Sequence, residues 1–513
     1  MRKTLSVLFV LILFASDFLA QDYAAKIAEI DAYAEQVLRD WKVPGMAIAI
    51  VKDDRVIFAK GYGVRHLGKP EKVDEDTLFA IASNSKAFTT AALAILMDEG
   101  KISGWDEKVS IFLPEFQMYD AYVTRELTLR DLVCHRSGLD TFSGDLLWYE
   151  TKYTPDEVLR RVRYLKPVSS FRSKYGYQNL MFIAAGRIIE KVSGKSWGEF
   201  LRERILKPLG MNRTTTTVRD IKDNYATPHN ESGGRGLRPL PLGNVDNAIG
   251  AAGLNSSVSE VAKWLRLQLG KGKYEGKQIF SEQQAGQMWS PCVIVGINPF
   301  PPKEAPTQIF LGYGLGWFIG DYRGRKLVFH SGGLDGMISQ TAMMPAENLG
   351  VVVLTNSETS AALVMRNKIL DVFTSEEKRD WNAEYLKLAE QRRSLRQQQE
   401  RKALSERAVN TKPSLALKDY EGTYSSQMYG EVQITEENGK LVMRFLPAPN
   451  FVADLEHWHY DTFLIKWRDS VNYNFPLGWV TFRIDKNGKP DEIKIDQPND
   501  DFWFYELELK RKM

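Results

Sequence analysis

The chain has 513 residues, of which 43% are hydrophobic and 26% charged, and its formal net charge is +3. That length exceeds what a single ordinary core organises and calls for a larger domain followed by a smaller one, while the near-neutral balance gives no electrostatic footprint for nucleic-acid binding. Cys134 and Cys292 are the only cysteines; they could pair in an exported protein, but two thiols make no disulfide framework here, and Cys134 lies in a stretch that reads as core.

Arg2 and Lys3 precede the apolar run Leu5–Ala15, and small or polar residues lead on to Ala20. This is the pattern of a secretory signal peptide over residues 1–20, too short for a spanning helix. It implies an exported protein, periplasmic or secreted, with no membrane span after cleavage. Tyr23–Trp41 has amphipathic helix spacing, ended by Pro44-Gly45, and Met46–Val51 and Val56–Lys60 read as a hairpin turning through Asp53-Asp54.

Leu78–Met97, LFAIASNSKAFTTAALAILM, starts as an apolar run and becomes helical, with Phe88, Ala91, Ala92, Ile95 and Leu96 at three- and four-residue spacing. Ser83 and Lys86 stand at the junction. Residues three apart share a helix face, so a serine in the first turn places its hydroxyl beside the lysine amine. A serine hydroxyl is a weak nucleophile until a neighbour takes its proton, and a lysine whose pKa is lowered by desolvation can do so. The helix N-terminus adds N–H groups that favour the negative charge of acyl transfer. Taken alone, the same residues describe an N-cap serine followed by a snorkelling lysine.

Asp131–His135 and Thr154–Leu165 have helical character, and Ser196-x-x-Glu199 and Ser257-x-x-Glu260 have the form of capping boxes opening further helices. Ser173–Gly194 is a polar, aromatic loop carrying Tyr177 and Asn179, followed by an amphipathic helix that Gly194 would cap. The prolines of Pro291–Thr307 mark an irregular segment. Tyr313–Ile319, Lys326–His330, Ile338–Met344 and Gly350–Leu354 then read as strands, the second leading into His330-Ser331-Gly332-Gly333. Helices grouped between two sheet-forming ends describe an α+β domain with one antiparallel sheet, flanked by helices and joined by an all-helical block.

Glu376–Arg407 is dense in Glu, Arg, Lys and Gln and reads as a solvated helical linker. From Leu415 alternating aromatic and aliphatic residues describe a small antiparallel all-β domain of barrel-like pattern. The expected layout is a leader at 1–20, a catalytic domain at 21–373, a linker at 374–412 and the β domain at 413–513. His457-x-His459 is a conceivable metal pair, but no third ligand accompanies it, so neither metal nor cofactor is expected.

Together and in this order, Ser83-x-x-Lys86, Tyr177-x-Asn179 and His330-Ser331-Gly332-Gly333 resemble the serine β-lactamase and penicillin-binding-protein superfamily, in particular its class C, esterase and D-aminopeptidase-like branch. Leu132–Leu139 (LVCHRSGL), Leu206–Met211 (LKPLGM), Ala252–Trp264 (AGLNSSVSEVAKW) and Tyr313–Trp317 (YGLGW) also look like recurring family segments, so the resemblance covers about residues 30 to 373. It implies a catalytic Ser83 that is acylated, Lys86 and Tyr177 sharing the proton transfers, an oxyanion hole from the N–H groups of Ser83 and Gly333, and Asn179 orienting Lys86 and substrate amides. It also implies a site between the sheet and the helical block. The β domain resembles the accessory domain often fused behind this catalytic domain, and offers a surface for self-association.

His330 departs from the pattern, because many β-lactamases and penicillin-binding proteins carry a lysine at that position to contact a substrate carboxylate. An imidazole that charges slightly below pH 7 is a weaker partner. The nucleophile elbow of α/β-hydrolases is excluded for Ser331, since Phe329-His330-Ser331-Gly332-Gly333 lacks the first glycine. The expected function is an exported serine hydrolase acting on a small ester or a peptide, D-residue peptides included. The alternatives are a β-lactamase or penicillin-binding carboxypeptidase, and a non-catalytic binding module.

Overall fold

A computed structural model of the protein describes residues 23–231, 236–296, 308–375, 377, 379–469 and 475–512. The expected leader at 1–20 lies outside these residues, as does most of Pro291–Thr307. Helix 23–40 buries Ile30, Ala34 and Val37, three residues on one face. The chain then enters strand β1 (Gly45–Lys52) and returns as β2 (Arg55–Gly63). Asp53 and Asp54 both adopt positive φ, 50° and 58°, as a two-residue turn matched to strand twist requires.

Six further strands complete one sheet: β3 (Val293–Ile294), β4 (Leu311–Tyr313), β5 (Phe318–Tyr322), β6 (Arg325–Leu334), β7 (Met337–Met344) and β8 (Leu349–Thr355). Their order is β2-β1-β8-β7-β6-β5-β4-β3 and every pairing is antiparallel. Every residue of β8 is buried, as is every residue of β1 except Lys52, because both sheet faces are covered. Met46, Ile48 and Ile50 pack with helix 23–40 and helix Ala361–Thr374, whereas Ala47, Ala49 and Val51 join Phe88, Trp264 and Leu265 of the helical block. Alternation along a strand thus divides one apolar run between two layers.

Three expectations are corrected. Tyr313–Ile319 is not one strand: a turn at 314–317 separates β4 from β5, and Gly316 adopts φ +79° where a Cβ would lie 2.5 Å from Thr90 Oγ1. Alternation of apolar residues could not reveal a turn pressed onto another helix. The Asp131–His135 helix is Leu129–Val133, ending before His135 turns to φ 61°. Ser196 and Glu199 form a reciprocal capping box, but at Ser257 only half of one forms, because Glu260 instead accepts from the backbone N–H groups of Arg213 and Thr214 at 2.9 and 2.7 Å.

Helix Trp381–Ser405 is anchored at its start, where Trp381 Nε1 donates to Asp371 Oδ2 at 2.7 Å, and is otherwise largely solvated. It leads to a closed eight-stranded antiparallel barrel, β9 (Gly422–Ser426), β10 (Gly430–Glu437), β11 (Lys440–Phe445), β12 (Val452–His459), β13 (Thr462–Trp467), β14 (Trp479–Ile484), β15 (Pro490–Asp496) and β16 (Leu509–Arg511). A register shift separates His457 from His459, and His457 Nε2 donates to the Tyr460 carbonyl at 3.0 Å. Among the described residues no group of three His, Cys, Asp or Glu could hold a metal, and no helix is long and apolar enough to cross a membrane.

Candidate active site

Ser83 sits in a one-turn 3-10 segment, Ala82–Asn84, directly before the α-helix Ser85–Asp98, rather than inside that helix. Ala82 has φ +46°, which turns the chain sharply out of the short strand Phe79–Ala80. Polar pins fasten this turn to β7: Ser339 Oγ donates to the Ile81 carbonyl at 2.8 Å, Asn84 Nδ2 donates to Ser339 Oγ at 2.8 Å, and Thr341 Oγ1 donates to Asn84 Oδ1 at 2.5 Å. Pairing of β6 with β5 stops at Phe329, whereas pairing with β7 runs on to Leu334. The 330–334 half of β6 therefore flanks the Ser83 turn. Gly332 makes that approach feasible, since a Cβ there would fall 2.2 Å from the Ile81 carbonyl oxygen and 3.0 Å from Ser83 N.

Lys86 is fully buried. Its Nζ reaches Ser83 Oγ at 3.0 Å, Asn179 Oδ1 at 2.6 Å and the Ala251 carbonyl at 3.1 Å, and lies 4.7 Å from the centre of the Tyr177 ring. Burial pulls its pKa down to about 7, against the opposing pull of the Asp145 carboxylate. Asn179 opens helix Asn179–Ser193 and donates from Nδ2 to Asp145 Oδ2 at 2.6 Å. Burial raises the Asp145 carboxyl to about 7, while the hydrogen bond from Asn179 and the Lys86 charge act in the opposite direction. Tyr177 is 8% exposed. Burial raises its phenol, hydrogen bonding with Ser83 lowers it, and its ring packs 4.2 Å from that of His135.

His330 corrects the expectation that it would charge just below pH 7. It is buried, and its pKa falls to about 3, first through desolvation and then through the charge of Lys86. Nδ1 donates to the Ser331 carbonyl at 2.6 Å, which leaves Nε2 to accept from Tyr313 Oη at 2.9 Å. With both nitrogens engaged, the ring is a neutral structural element and not a cation for a substrate carboxylate. Ser331 lies within continuous strand β6, on no strand-to-helix elbow. Cys134 and Cys292 are free thiols with sulfurs 2.9 Å apart.

A cleft of about 350 Å³ opens onto these groups, with Ser83, Tyr177, Asn179, Ser331 and Gly333 in its wall. Sequence reading had singled out neither Asp145 nor the outer wall, where Asp335 and Glu358 meet Asp501 and Phe502 from the C-terminal domain. Phe502 packs against Tyr149, the two rings tilted by 33° with centres 4.4 Å apart. No spacing rule points to these residues, because long-range folding alone brings them together. The arrangement offers a hydroxyl, an amine of near-neutral pKa and a phenol, the parts of acyl transfer.

Residues 30–374 match the family model described as Beta-lactamase, and residues 406–511 match a domain of unknown function, DUF3471. A 447-residue stretch, 82% of this chain, is 29% identical to the unguisins hydrolase ungD' of Aspergillus campestris, covering 78% of that protein. Protein flp of Staphylococcus aureus is 30% identical over 340 residues, 64% of this chain and 62% of that protein. In fold, the octameric penicillin-binding protein homologue from Pyrococcus abyssi is similar over 94% of this chain and 100% of that one, with a TM-score of 0.61 at 22% identity. With its match spanning most of its length, this chain belongs to the beta-lactamase family and is a serine hydrolase.

Proposed function

We propose that the protein is an exported hydrolase that cleaves a small ester, or a peptide or amide including those with D-residues, through an acyl-enzyme on Ser83. The observation that carries this reading is the buried Lys86 amine, 3.0 Å from Ser83 Oγ with a pKa of about 7. At neutral pH a substantial fraction of such an amine is unprotonated and able to take the hydroxyl proton. Ser83 Oγ then bonds to the substrate carbonyl carbon, and the N–H groups of Ser83 and Gly333 receive the oxyanion; as the carbonyl re-forms and the bond to the leaving group breaks, the proton held by Lys86 is relayed through Tyr177 to that group. Water, deprotonated by the same pair, releases the acid and restores Ser83. The unguisins hydrolase likeness supports hydrolysis, and the leader-like Arg2–Ala20 segment supports export.

Penicillin-type substrates fit less well. No lysine or arginine lines the cleft among the described residues, Lys86 lying buried behind Ser83 and Asn179, while Asp145, Asp335, Glu358 and Asp501 do line it. An anionic lactam carboxylate would meet a neutral His330 and carboxyl groups whose pKa values burial raises, with no cation placed to receive it. A fluorophosphonate probe should label Ser83 and a fluorescent penicillin should not. Assays on p-nitrophenyl esters, D- and L-aminoacyl anilides and nitrocefin would then rank the acyl groups. Labelling by both probes favours a penicillin-recognising enzyme, and by neither a binding module.

A further inference from the structure

We propose that Glu506, in the C-terminal domain, is a positioning residue for the catalytic lysine, so that docking of the barrel forms part of the active centre. The inference rests on Ser83 and Lys86 acting as described above. Glu506 accepts from the Ser143 hydroxyl at 2.6 Å through one carboxylate oxygen and from the Gly144 N–H at 2.9 Å through the other. The next residue is Asp145. Its Oδ2 accepts from Asn179 at 2.6 Å, Asn179 Oδ1 accepts from Lys86 Nζ at 2.6 Å, and Lys86 reaches Ser83 at 3.0 Å. Hydrogen bonds, with the Gly144–Asp145 backbone as the covalent link between them, therefore join the accessory domain to the nucleophile.

Both sides of this connection are closely packed. Gly144 adopts φ +77°, and a Cβ there would fall 2.4 Å from Leu165 Cδ1 and 2.8 Å from Leu180 Cδ1, so the turn before Asp145 requires glycine and packs closely on these two leucines. On the other side Phe504 packs against Phe451 and Trp467 of the barrel interior, and Trp503 Nε1 donates to the Thr141 carbonyl at 2.6 Å. Glu506 thus projects from the barrel edge onto the turn that leads into Asp145. Among the described residues no lysine or arginine pairs with it. A largely enclosed carboxylate without a counter-cation is costly to keep unless its hydrogen bonds satisfy it. Here those bonds converge on the one turn that holds Asp145, and other polar contacts already serve to dock the barrel. Tyr153 Oη donates to the Tyr429 carbonyl at 2.6 Å, and Arg161 Nη1 donates to the Met428 carbonyl at 3.0 Å.

The test compares four full-length proteins, the parent, Glu506→Ala, Glu506→Gln and Arg161→Ala, by their rate of fluorophosphonate labelling, by kcat and KM on a p-nitrophenyl ester, and by thermal melting. Misplacement of a catalytic group by about 1 Å can cost on the order of 100-fold. Glu506→Ala should therefore label about 10- to 100-fold more slowly, with kcat falling alike and KM little changed. Glu506→Gln keeps acceptor oxygen and should recover most of the rate; Arg161→Ala, which loosens the same interface elsewhere, should label as the parent does. The inference is overturned if Glu506→Ala labels at the parent rate, if Arg161→Ala slows equally, or if Gln is no better than Ala. A parent that does not label at all would instead remove the reading of Ser83 as nucleophile.

Discussion

The Ser83 cleft and the interior of the C-terminal barrel are both rich in aromatic side chains, but they treat charge in opposite ways. Inside the barrel, Tyr424, Phe445, Phe451, Phe463 and Phe482 pack together, and Gln497 is the sole buried non-aromatic polar residue of that domain among the described residues. Around Ser83, by contrast, an amine, a carboxyl and two imidazoles, those of Lys86, Asp145, His330 and His135, are buried within a single neighbourhood. Burying such groups lowers stability unless they are hydrogen-bonded, and they persist where chemistry needs shifted pKa values. The contrast teaches that, among the described residues, the barrel interior buries no second cluster of ionisable groups of this kind. What it contributes to the chemistry passes through the edge that carries Asp501, Phe502 and Glu506.

The sharpest way to break that comparison is to remove the nucleophile. Ser83→Ala should lower turnover at least about 1,000-fold, in line with nucleophile removal in other serine hydrolases, and should abolish fluorophosphonate labelling. Retained labelling would place the reactive group elsewhere. Tyr177→Phe comes next, with an expected loss in kcat of about 100-fold for one proton-transfer group; an unchanged kcat would leave Lys86 to act alone.

The pH profile gives a smaller, directional effect. Lys86 must be neutral to take a proton, and its pKa in the folded protein is about 7, so kcat/KM should rise with pH through that region. Below it the fall should approach about tenfold per pH unit, as expected for one proton. A profile flat from pH 6 to 9 would exclude the buried amine as base. Phe502→Ala, on the barrel side of the cleft, should raise KM several-fold with little change in kcat, because it removes an aromatic partner of Tyr149 worth about 1 kcal/mol beyond its area. An equal fall in kcat would mean that the barrel edge positions reacting groups at Phe502 as well as at Glu506. The smallest effect belongs to metal: a chelator should leave activity unaltered, and a loss reversed by zinc would restore the His457 and His459 pair to consideration.

Much of this organisation was legible in the chain. Spacing placed Ser83 and Lys86 on adjoining turns, Asp53-Asp54 announced a hairpin that forms with both φ values positive, and alternation after Leu415 announced a β domain that closes as a barrel. Asp145 and Glu506 gave no signal. Each is a single acidic residue indistinguishable in sequence from a solvated one, and only tertiary contacts give them partners: Asn179, 34 positions on, for Asp145, and Ser143 and Gly144, 363 and 362 positions back, for Glu506. The behaviour of His330 was also hidden, because an imidazole's pKa depends on how much water its neighbours exclude and on where Lys86 points.

Local order in the chain, then, determined which residue types stand at helical or strand spacing: the serine with its lysine one turn on, the Tyr177-x-Asn179 loop before its helix, and the glycines after His330. Tertiary structure decided that Lys86 is buried enough to lose its proton near neutrality, that His330 is a neutral brace, and that a carboxylate of the accessory domain holds the turn before Asp145. The physical reason is that periodicity acts between neighbours in sequence, whereas desolvation and hydrogen-bond closure depend on every segment that packs around a group.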